Sequence, residues 1–261
     1  MGALHEGHLS LVRAAKAECQ PVVVSIFVNP TQFGPNEDLR KYPRTIEEDR
    51  GKLEAEGVEF LFAPEVSEIY PPGFCTWVDV EGLSDRLDGK SRPGHFRGVT
   101  TVVLKLLQIV QPEKAYFGRK DAQQARLIRQ MTTDLNLDAK IVVCPIAREA
   151  DGLALSSRNA YLKPEDRGAA LVIYRALDHA RQMIERGERD ALRLAAAIRD
   201  MIRVERLAEL DYAEVVDADT FEPVTRLRGS CLALAAARIG TTRLIDNLLV
   251  EERNGGFHAL L

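Results

Sequence analysis

Residues 1–12, Met-Gly-Ala-Leu-His-Glu-Gly-His-Leu-Ser-Leu-Val, are the stretch from which the rest of this chain is best interpreted. A helical pattern starts within it, because apolar residues from Val12 and Ala15 onward recur on one face. His5 and His8 are therefore predicted at or just before a helix N-terminus. That end of a helix carries unpaired N–H groups and a partial positive charge, so it attracts phosphate.

The same stretch favours nucleotide chemistry over two alternatives. Gly7 has no Cβ and lets the backbone come close to a ligand, while two imidazoles can donate to phosphate oxygens as a nucleotide reacts. One alternative is a surface turn with two solvated histidines, since short motifs often match by chance. The other is a zinc site, which is disfavoured because the spacing is not His-Glu-x-x-His and no cysteine pair lies nearby.

Composition and charge narrow the class of protein. The 261 residues suit one large domain or two smaller ones, and 46% hydrophobic residues suffice for a core. A net charge of −4 argues against a general nucleic-acid binder. Apolar runs stay well below the roughly 20 residues that span a bilayer, and no signal pattern opens the chain, so we expect a cytoplasmic protein with no membrane partner. Four separated cysteines predict buried free thiols: Cys19, Cys75, Cys144 and Cys231.

The segment after the first helix predicts a strand–helix–strand unit. Residues 22–28 are a β-branched run typical of a parallel strand buried on both faces. A capping box at 45–48 opens the next helix, and residues 58–62 form the second strand. Asn29 and Gln32 follow the first strand, where open α/β sheets bind ligands. Asn29 precedes a proline, so turn formation is its alternative role.

Three further strands are predicted between residues 76 and 144. They are short apolar runs at 76–80, 114–117 and 140–144. Helix 99–110 lies between the first two of them. It follows a polar stretch, 86–98, whose four basic side chains and one histidine could close over a triphosphate; a solvated loop is the alternative.

Polar groups again follow the last two of these strands. Lys120 offers a flexible cation for phosphate, and Asp121 can accept hydrogen bonds from ribose hydroxyls. Gln124 lies one helical turn after Lys120 and can face the same cleft. Residues 156–158, two serines and an arginine, form a phosphate-binding set, for which a serine helix cap is the alternative.

The last third of the chain has a different pattern. Two amphipathic helices at 170–184 and 194–208 are followed by strands at 211–216 and 231–236. A helix pair with a small sheet predicts a second domain, with the boundary near Ile146.

The His-x-Gly-His pattern at 5–8 resembles nucleotidylyltransferases and class I aminoacyl-tRNA synthetases, whose shared chemistry is attack on the α-phosphate of a nucleoside triphosphate. The longer opening string resembles the pantoate–β-alanine ligase family. Five further blocks in the family's order carry the same resemblance: Asn-Pro-Thr-Gln-Phe-Gly-Pro-Asn-Glu-Asp-Leu at 29–39, Arg-Pro-Gly-His-Phe-Arg-Gly-Val at 92–99, Gly-Arg-Lys-Asp-Ala-Gln-Gln at 118–124, Asp-Gly-Leu-Ala-Leu-Ser-Ser-Arg-Asn at 151–159 and Arg-Leu-Ile-Asp-Asn at 243–247.

This resemblance implies a ligase that joins D-pantoate to β-alanine with ATP and Mg²⁺. Pantoyl adenylate and pyrophosphate form first, and the amine then displaces AMP. The implied fold is α/β: a Rossmann-like parallel-sheet domain at 1–146 that binds ATP and pantoate, and a smaller α+β C-terminal domain at 147–261 that closes over the site. The implied assembly is a homodimer.

The resemblance also assigns roles to residues. His8 matches the proton donor, and His5 and Lys120 contact phosphate. The pantoate and β-alanine pocket is assigned to Asn29, Gln32 and Gln124. The ATP contacts are assigned to Met1, Gly2, Ala3, Leu4, His5, Glu6, Gly7, His8, Gly118, Arg119, Lys120, Asp121, Ala147, Leu155, Ser156, Ser157 and Arg158. An acidic pair, Glu48 and Asp49, aligns with a magnesium-binding position, with Asp49 as the candidate ligand.

One departure from the family concerns its first strand, which precedes the residue that aligns with Met1 and lies centrally in the sheet. We therefore expect a Rossmann-like sheet that lacks its first strand, with strands 22–28 and 114–117 on either side of the gap. We also expect the chain as written to be poorly stable and weakly active beside a longer natural product.

Other functions stay open. A nucleotidylyltransferase with a different acceptor shares the His-x-Gly-His chemistry, whereas a synthetase would want an anticodon-binding module and a basic face, neither of which is evident. An inactive, N-terminally shortened copy that survives as a folded or dimerising protein is the non-enzyme alternative. A coupled assay for AMP release with pantoate, β-alanine, ATP and Mg²⁺ separates these possibilities.

Overall fold

The computed structural model describes residues 2–35 and 37–261. The chain divides into two compact units, Met1–Pro145 and Ile146–Leu261. Each unit has its own helices and strands and its own buried apolar residues.

Helices and parallel strands alternate in the first unit, which confirms the predicted mixed α/β class. Its helices are α1 Glu6–Lys16, α2 Ile46–Ala55, α3 Val66–Ile69, α4 Asp88–Ser91, α5 His95–Val110 and α6 Ala122–Asp134. Its strands are β1 Val23–Ser25, β2 Phe60–Phe62, β3 Lys114–Gly118 and β4 Lys140–Cys144. Short 3-10 helices lie at Pro30–Gln32, Asp38–Arg40 and Arg119–Asp121.

These four strands form two separate parallel sheets of two strands each. In one sheet β1 pairs with β2, with Val24 opposite Leu61; in the other β3 pairs with β4, with Tyr116 opposite Val142. Within residues 2–35 and 37–261, no strand pairing joins one sheet to the other. The buried apolar residues of the first unit also form two small clusters, one beside each pair, and Tyr116 of β3 packs against the cluster beside β1 and β2.

The two clusters show which elements cover which strands. The first joins α1, α2 and β1 and holds Leu4, Val12, Ala15, Val22, Val24, Ile26 and Leu53. The second joins α5 and α6 with partly buried residues of β3 and β4, and it holds Val80, Phe96, Val99, Leu107, Leu127, Ile128 and Met131. Burial of these apolar side chains is what holds each helix on its strands.

The strand predicted at 76–80 is wrong, because this segment has no strand assignment in the structure. The Val78 N–H donates to the Thr101 Oγ1 at 3.0 Å, and the Val78 C=O accepts from the Thr100 Oγ1 at 2.6 Å. Two hydroxyls of α5 thus satisfy the backbone groups that a neighbouring strand would have used. Sequence pattern alone does not distinguish these two kinds of partner.

The capping box predicted at 45–48 is also absent. Thr45 makes no side-chain cap hydrogen bond to α2. Glu48, which would complete the box, instead pairs with Lys52 at 2.7 Å. A carboxylate that pairs one turn forward along its helix is not available to reach back to the N-cap.

Two predicted boundaries also shift. The strand predicted at 22–28 is reduced to Val23–Ser25, since its partner β2 has only three residues to pair with. It is not buried on both faces as predicted, because Val24 is buried and Val23 is exposed. The helix predicted from residue 99 begins at His95, after Gly94 in the left-handed conformation with φ +81°. The polar stretch 86–98 is therefore largely helical, in α4 and in the first turn of α5, rather than an open loop.

The second unit consists of a helix pair and one antiparallel sheet. Its helices are α7 Pro164–Glu185 and α8 Ala191–Val204, preceded by a 3-10 helix at Ser157–Tyr161. Its strands are β5 Ala208–Asp217, β6 Ser230–Ile239, β7 Thr242–Arg253 and β8 Gly256–Leu260, paired in the order β5-β6-β7-β8. The predicted helix pair and small sheet are present, but the sheet has four strands where two were predicted.

No helix within the described ranges is both long and apolar enough to cross a bilayer. All four cysteines are free thiols. Cys144 and Cys231 are buried as predicted, whereas Cys19 is half-buried and Cys75 is exposed. Cys75 lies between α3 and α4, outside any regular element, where no helix or strand turns its side chain inward.

Candidate functional site

His5 and His8 cap the start of α1 and hold one another in place. His5 is the N-cap residue, and its Nδ1 accepts from the Gly7 N–H at 3.2 Å. The His8 Nδ1 accepts from the His5 N–H at 3.4 Å, and the two ring centroids lie 4.0 Å apart. Because Nδ1 accepts in both rings, the proton of each neutral imidazole lies on Nε2. Each ring therefore offers one N–H donor on the edge opposite its backbone contact.

Burial keeps both imidazoles neutral near pH 7. It lowers the pKa of His8 to about 2, and the neighbouring His5 adds to this effect. It lowers the pKa of His5 to about 4, and the positive charge of Lys120 acts in the same direction. An anion bound beside these rings would favour the protonated form and would strengthen hydrogen bonds from Nε2.

The backbone just before this cap is held by α2. The N–H groups of Ala3 and Leu4 donate to the Asp49 carboxylate at 2.8 and 2.6 Å. The Leu4 side chain is buried in the apolar cluster beneath α1. Residues 3–5 are thus fixed on both their polar and apolar sides.

The other predicted contacts of the opening stretch differ in what they can offer. Gly2 is buried, and Gly7 supplies its N–H to the histidine cap. The Glu6 side chain forms an ion pair with Arg13, so only its backbone is left for a nucleotide. Met1 lies outside the described residues.

The loop after β3 brings a cation and a carboxylate close to the histidines. Gly118 ends β3, and Arg119–Asp121 forms the short 3-10 helix that leads into α6. The Lys120 Nζ lies 3.7 Å from the Asp121 Oδ1. The charges of both residues act on the pKa of His5, so the structure brings these separate stretches of sequence together.

Asn29 is 2% exposed, and its side chain is engaged within the first unit. The Asn29 Nδ2 donates to the Gly98 C=O at 3.1 Å and to the Gln32 Oε1 at 3.4 Å. Its Oδ1 accepts from the Thr31 hydroxyl and the Tyr70 hydroxyl, each at 2.9 Å. Asn29 thus forms the turn, the role that the sequence left as an alternative, and it orients the Gln32 side chain.

Gln32 is held by both its side chain and its backbone. Its C=O accepts from the Arg92 guanidinium at 3.3 Å and lies 2.7 Å from the His95 Nδ1. Its Oε1 faces Asn29, so the Nε2 group is the part of the amide left to donate to a ligand. An N–H donor of this kind suits a carboxylate or a hydroxyl oxygen.

The structure also separates the two adjacent glutamines of α6. Gln123 is 2% exposed; its Nε2 donates to the Leu83 and Arg86 C=O groups, both at 2.8 Å, and its Oε1 accepts from the Asp88 N–H. Gln124 is half-buried, and no hydrogen bond of its side chain is present within residues 2–35 and 37–261. Gln123 is therefore structural, and Gln124 has an amide available to a ligand.

The basic stretch 86–98 supports the Gln32 turn more than it offers free cations. The Arg92 guanidinium pairs with Glu37 at 2.6 Å, and the Arg97 guanidinium lies 5.0 Å from the Trp77 ring centroid. His95 is half-buried, and its desolvation lowers its pKa to about 4. The hypothesis that this stretch is an open loop poised over a triphosphate is not supported by these contacts.

Predicted ATP contacts of the second unit lie on a short hairpin and the turn after it. The Ala147 C=O accepts from the Leu155 N–H at 3.0 Å, which leaves the Ala147 N–H for an adenine contact. Ser156 caps the 3-10 helix by accepting from the Arg158 N–H at 3.2 Å, the alternative role named for a serine here. Ser157 follows it in the first turn of that helix.

A buried ion pair fixes this hairpin within the second unit. Arg148 and Asp246 make two parallel hydrogen bonds of 2.7 and 3.0 Å, and the Arg148 Nη1 also donates to the Gly152 C=O at 3.0 Å. A Cβ on Gly152 would lie 2.2 Å from the Tyr174 ring, so the turn packs closely against α7. Nothing in the sequence pattern predicts this pair, although Asp246 lies in the block at 243–247 that carries the family resemblance.

The candidate magnesium ligand does not fit a protein-built metal site. Both Asp49 oxygens accept backbone N–H groups, and the residue is 1% exposed. Over the described ranges, no group of three or more His, Cys, Asp or Glu side chains could hold a metal ion. Mg²⁺ often binds through substrate phosphates and water with few protein ligands, and that mode requires no cage here.

Comparisons with known proteins place the chain in a family. Residues 1–249 match the model of the pantoate-beta-alanine ligase family. A pantothenate synthetase of Acidobacterium capsulatum is 59% identical over 98% of this chain and 86% of its own length, and one of Koribacter versatilis is 57% identical over 96% and 86%.

Solved structures of the same family are also similar. The crystal structure of pantothenate synthetase from Thermus thermophilus matches with a TM-score of 0.93 and 47% identity, over 95% of this chain and 90% of that one. The pantoate-beta-alanine ligase of Francisella tularensis, complexed with beta-gamma ATP and beta-alanine, matches with a TM-score of 0.76 and 41% identity over 95% and 87%. The chain therefore belongs to the pantoate–β-alanine ligase family.

Proposed function

We propose that this chain is an ATP-dependent ligase that condenses D-pantoate with β-alanine to form pantothenate. The pantoate carboxylate attacks the α-phosphate of ATP, giving pantoyl adenylate and pyrophosphate. The amine of β-alanine then attacks the acyl carbon of that intermediate, and AMP leaves. ATP itself activates the carboxylate, so no side chain has to act as a nucleophile.

The observation that carries this proposal is the histidine pair at the start of α1 with Lys120 beside it. Two Nε2–H donors, a helix N-terminus and an ammonium group together face negative charge as it builds on the phosphates. His8 is assigned proton donation, and His5 and Lys120 are assigned phosphate contact. Asp121 is assigned to the ribose, and Gly118 and Arg119 complete that ATP loop.

Pantoate is assigned to Gln32 and Gln124, with β-alanine also at Gln32. A neutral amide can orient a hydroxy-carboxylate by hydrogen bonds without pairing with it so strongly that it stops attacking. Asn29 acts in this scheme by holding the Gln32 amide, since its own polar atoms are engaged inside the turn.

Further ATP contacts are assigned to Ala147, through its N–H, and to Leu155, Ser156, Ser157 and Arg158. We also propose that ATP reacts as its magnesium complex, that the enzyme is a cytoplasmic homodimer, and that neither nucleic acid nor membrane is a partner. Resemblance to the family supports these points. Analytical ultracentrifugation tests the dimer, and omission of Mg²⁺ from the assay tests the metal requirement.

The order of the two steps gives the decisive experiment. With pantoate and ATP but no β-alanine, labelled pyrophosphate should exchange into ATP, because adenylate formation is reversible and needs no amine. The matched control omits pantoate and should show no exchange. Exchange that appears only when β-alanine is present would rule out the adenylate mechanism, and AMP release with no dependence on pantoate would rule out the ligase.

A further inference from the structure

The side chains of Asp49 and Lys52, both in α2, bind the backbone of residues 3 and 4, directly before the histidine cap. The Asp49 Oδ2 accepts from the Ala3 N–H at 2.8 Å, and its Oδ1 accepts from the Leu4 N–H at 2.6 Å. Lys52, one helical turn later, donates from Nζ to the Leu4 C=O at 2.7 Å. Both backbone groups of Leu4 are thus bound by charged side chains of one helix.

The backbone of residues 3 and 4 has a conformation that needs such contacts. Ala3 has φ +50°, in the left-handed region that a residue with a Cβ rarely adopts. Conformations of this kind persist where surrounding contacts over-determine them. Two successive N–H groups converging on one buried carboxylate, and a buried Leu4 side chain below, supply those contacts.

These hydrogen bonds lie directly before the cap that orients the imidazoles. His5 follows Leu4, and its N–H is the donor that fixes the His8 Nδ1. Rotation of the Leu4–His5 peptide would therefore move the His5 ring and release the contact that sets the His8 tautomer. The position of two Nε2–H donors thus depends on contacts made by a helix some 45 residues away in sequence.

We propose that Asp49, assisted by Lys52, is a positioning residue for the phosphate-contacting histidines rather than a magnesium ligand. This inference rests on the proposed function. A carboxylate with both oxygens occupied by backbone N–H groups would have to abandon the Ala3–Leu4 backbone in order to bind a cation. Lys52 opposes a cation at the same place, because its ammonium group binds the C=O of Leu4, the residue whose N–H Asp49 binds.

The test compares Asp49→Asn with a matched control on the same helix. Asparagine keeps the size of the side chain but replaces one acceptor oxygen by a donor, so one of the two N–H contacts is lost. Glu54→Gln makes the same chemical change at an exposed residue of α2 that pairs with Arg50 and does not contact residues 2–8. For Asp49→Asn we expect kcat/KM for ATP to fall about tenfold or more, with half-saturating Mg²⁺ within about twofold of the unsubstituted enzyme. Glu54→Gln should match the unsubstituted enzyme in both.

Lys52→Met supplies a second variant that leaves the carboxylate in place. It should raise KM for ATP in the same direction and to a smaller extent. The double variant with Asp49→Asn should lose less than the product of the two single effects, because both side chains bind the backbone of the same residue, Leu4. If excess Mg²⁺ restores Asp49→Asn to normal activity, Asp49 is a metal ligand and the proposal is wrong.

Amide hydrogen exchange measured by NMR keeps this inference separate from the proposed function. The Ala3 and Leu4 N–H groups should be protected in the unsubstituted chain and in Glu54→Gln, and should exchange about tenfold faster or more in Asp49→Asn. This measurement needs no ligase activity. An inactive chain would therefore refute the proposed function, and the contacts of Asp49 with the Ala3 and Leu4 N–H groups could still be tested. Equal exchange in Asp49→Asn and the unsubstituted chain would refute the proposal that Asp49 is a positioning residue.

Discussion

The imidazoles of His5 and His8 serve as neutral donors rather than as cations. Their Nδ1 atoms are occupied by backbone N–H groups, and burial depresses the pKa of both rings. A protonated ring could not accept at Nδ1, so protonation without an anion nearby would break the cap of α1. The same contacts that orient the donors therefore also make the cap sensitive to acid.

This sensitivity predicts a pH dependence of stability. The pKa of His8 is about 2 in the folded chain against 6.5 for an unperturbed histidine, so between these values the unfolded chain binds more protons. The free energy of unfolding should then fall as the pH drops below about 6.5, by up to about 1.4 kcal/mol per pH unit for each such histidine. His8→Gln should flatten this dependence by up to one proton in denaturant titrations between pH 7 and 4.

The matched control for that experiment is His258→Gln, at an exposed position of β8. This variant makes the same substitution at a histidine that lies outside the cap of α1. A His8→Gln variant whose stability falls with acid as steeply as that of the unsubstituted chain would contradict the assigned burial of a neutral ring.

Gln123 and Gln124 are adjacent in sequence, but we expect their substitution by alanine to have opposite effects on activity and stability. Gln124→Ala should lower kcat/KM for pantoate greatly and leave the melting temperature unchanged, because its amide has no partner in the described chain. Gln123→Ala should lower the free energy of unfolding by about 1–3 kcal/mol, since three backbone groups lose their buried partner. Thermal melts and steady-state kinetics on both variants check this, and normal turnover in Gln124→Ala would remove it from the site.

The packing of α5 on the turn that carries Gln32 depends on Gly98. A Cβ at this position would lie 2.4 Å from the Thr31 C=O oxygen and 2.8 Å from the Gln32 N. Gly98→Ala should therefore displace the turn, raise KM for pantoate about tenfold or more, and destabilise the fold by about 1–3 kcal/mol. Gly51→Ala in α2 is the control: nothing lies within 4 Å of its Cβ, so helix propensity alone should add about 0.5–1 kcal/mol of stability. A Gly98→Ala variant with normal KM would show that the turn can move without cost.

The Arg148–Asp246 pair makes a similar prediction for the hairpin before the 3-10 helix at Ser157–Tyr161. The side chains of Arg148 and Asp246 are 13% and 4% exposed, so removal of one partner leaves a buried charge. Asp246→Asn should cost about 3 kcal/mol of stability and raise KM for ATP. Arg253→Gln, which removes the pair with Glu251 on the same sheet, should cost less than about 1 kcal/mol, because the Arg253 side chain is 61% exposed. Chemical denaturation of both variants distinguishes the two pairs, and equal losses would contradict this assignment.

The two units differ in how their cores are built. This difference predicts which unit loses its structure more readily by local unfolding. The second unit has one continuous cluster of buried residues beneath a four-stranded sheet, whereas the first has two smaller clusters beside strands of three to five residues. In native-state hydrogen exchange on the full chain, amides of β6 should exchange about 100-fold more slowly or more than those of β1. Equal protection would show that the small parallel sheets are as cooperative as the large antiparallel one.

Local sequence determined the longer helices, most of the strands and the blocks that carry family membership. The histidine cap is a clear example: His5 and His8 were predicted at a helix N-terminus from apolar periodicity alone, and the cap is present. Patterns of this kind are legible because backbone hydrogen bonding and amphipathic spacing act between residues only a few positions apart.

Tertiary structure alone decided what each polar side chain contacts. The Asp49 carboxylate, predicted as a metal ligand, accepts from the Ala3 and Leu4 N–H groups, and Val78 bonds to hydroxyls of α5 instead of to a strand. Asn29 and Gln123 likewise turned out to serve the turns around the site. These choices depend on partners 22 to 69 residues away, and a one-dimensional pattern does not show which of several equally polar groups the folded chain will bring within hydrogen-bond distance.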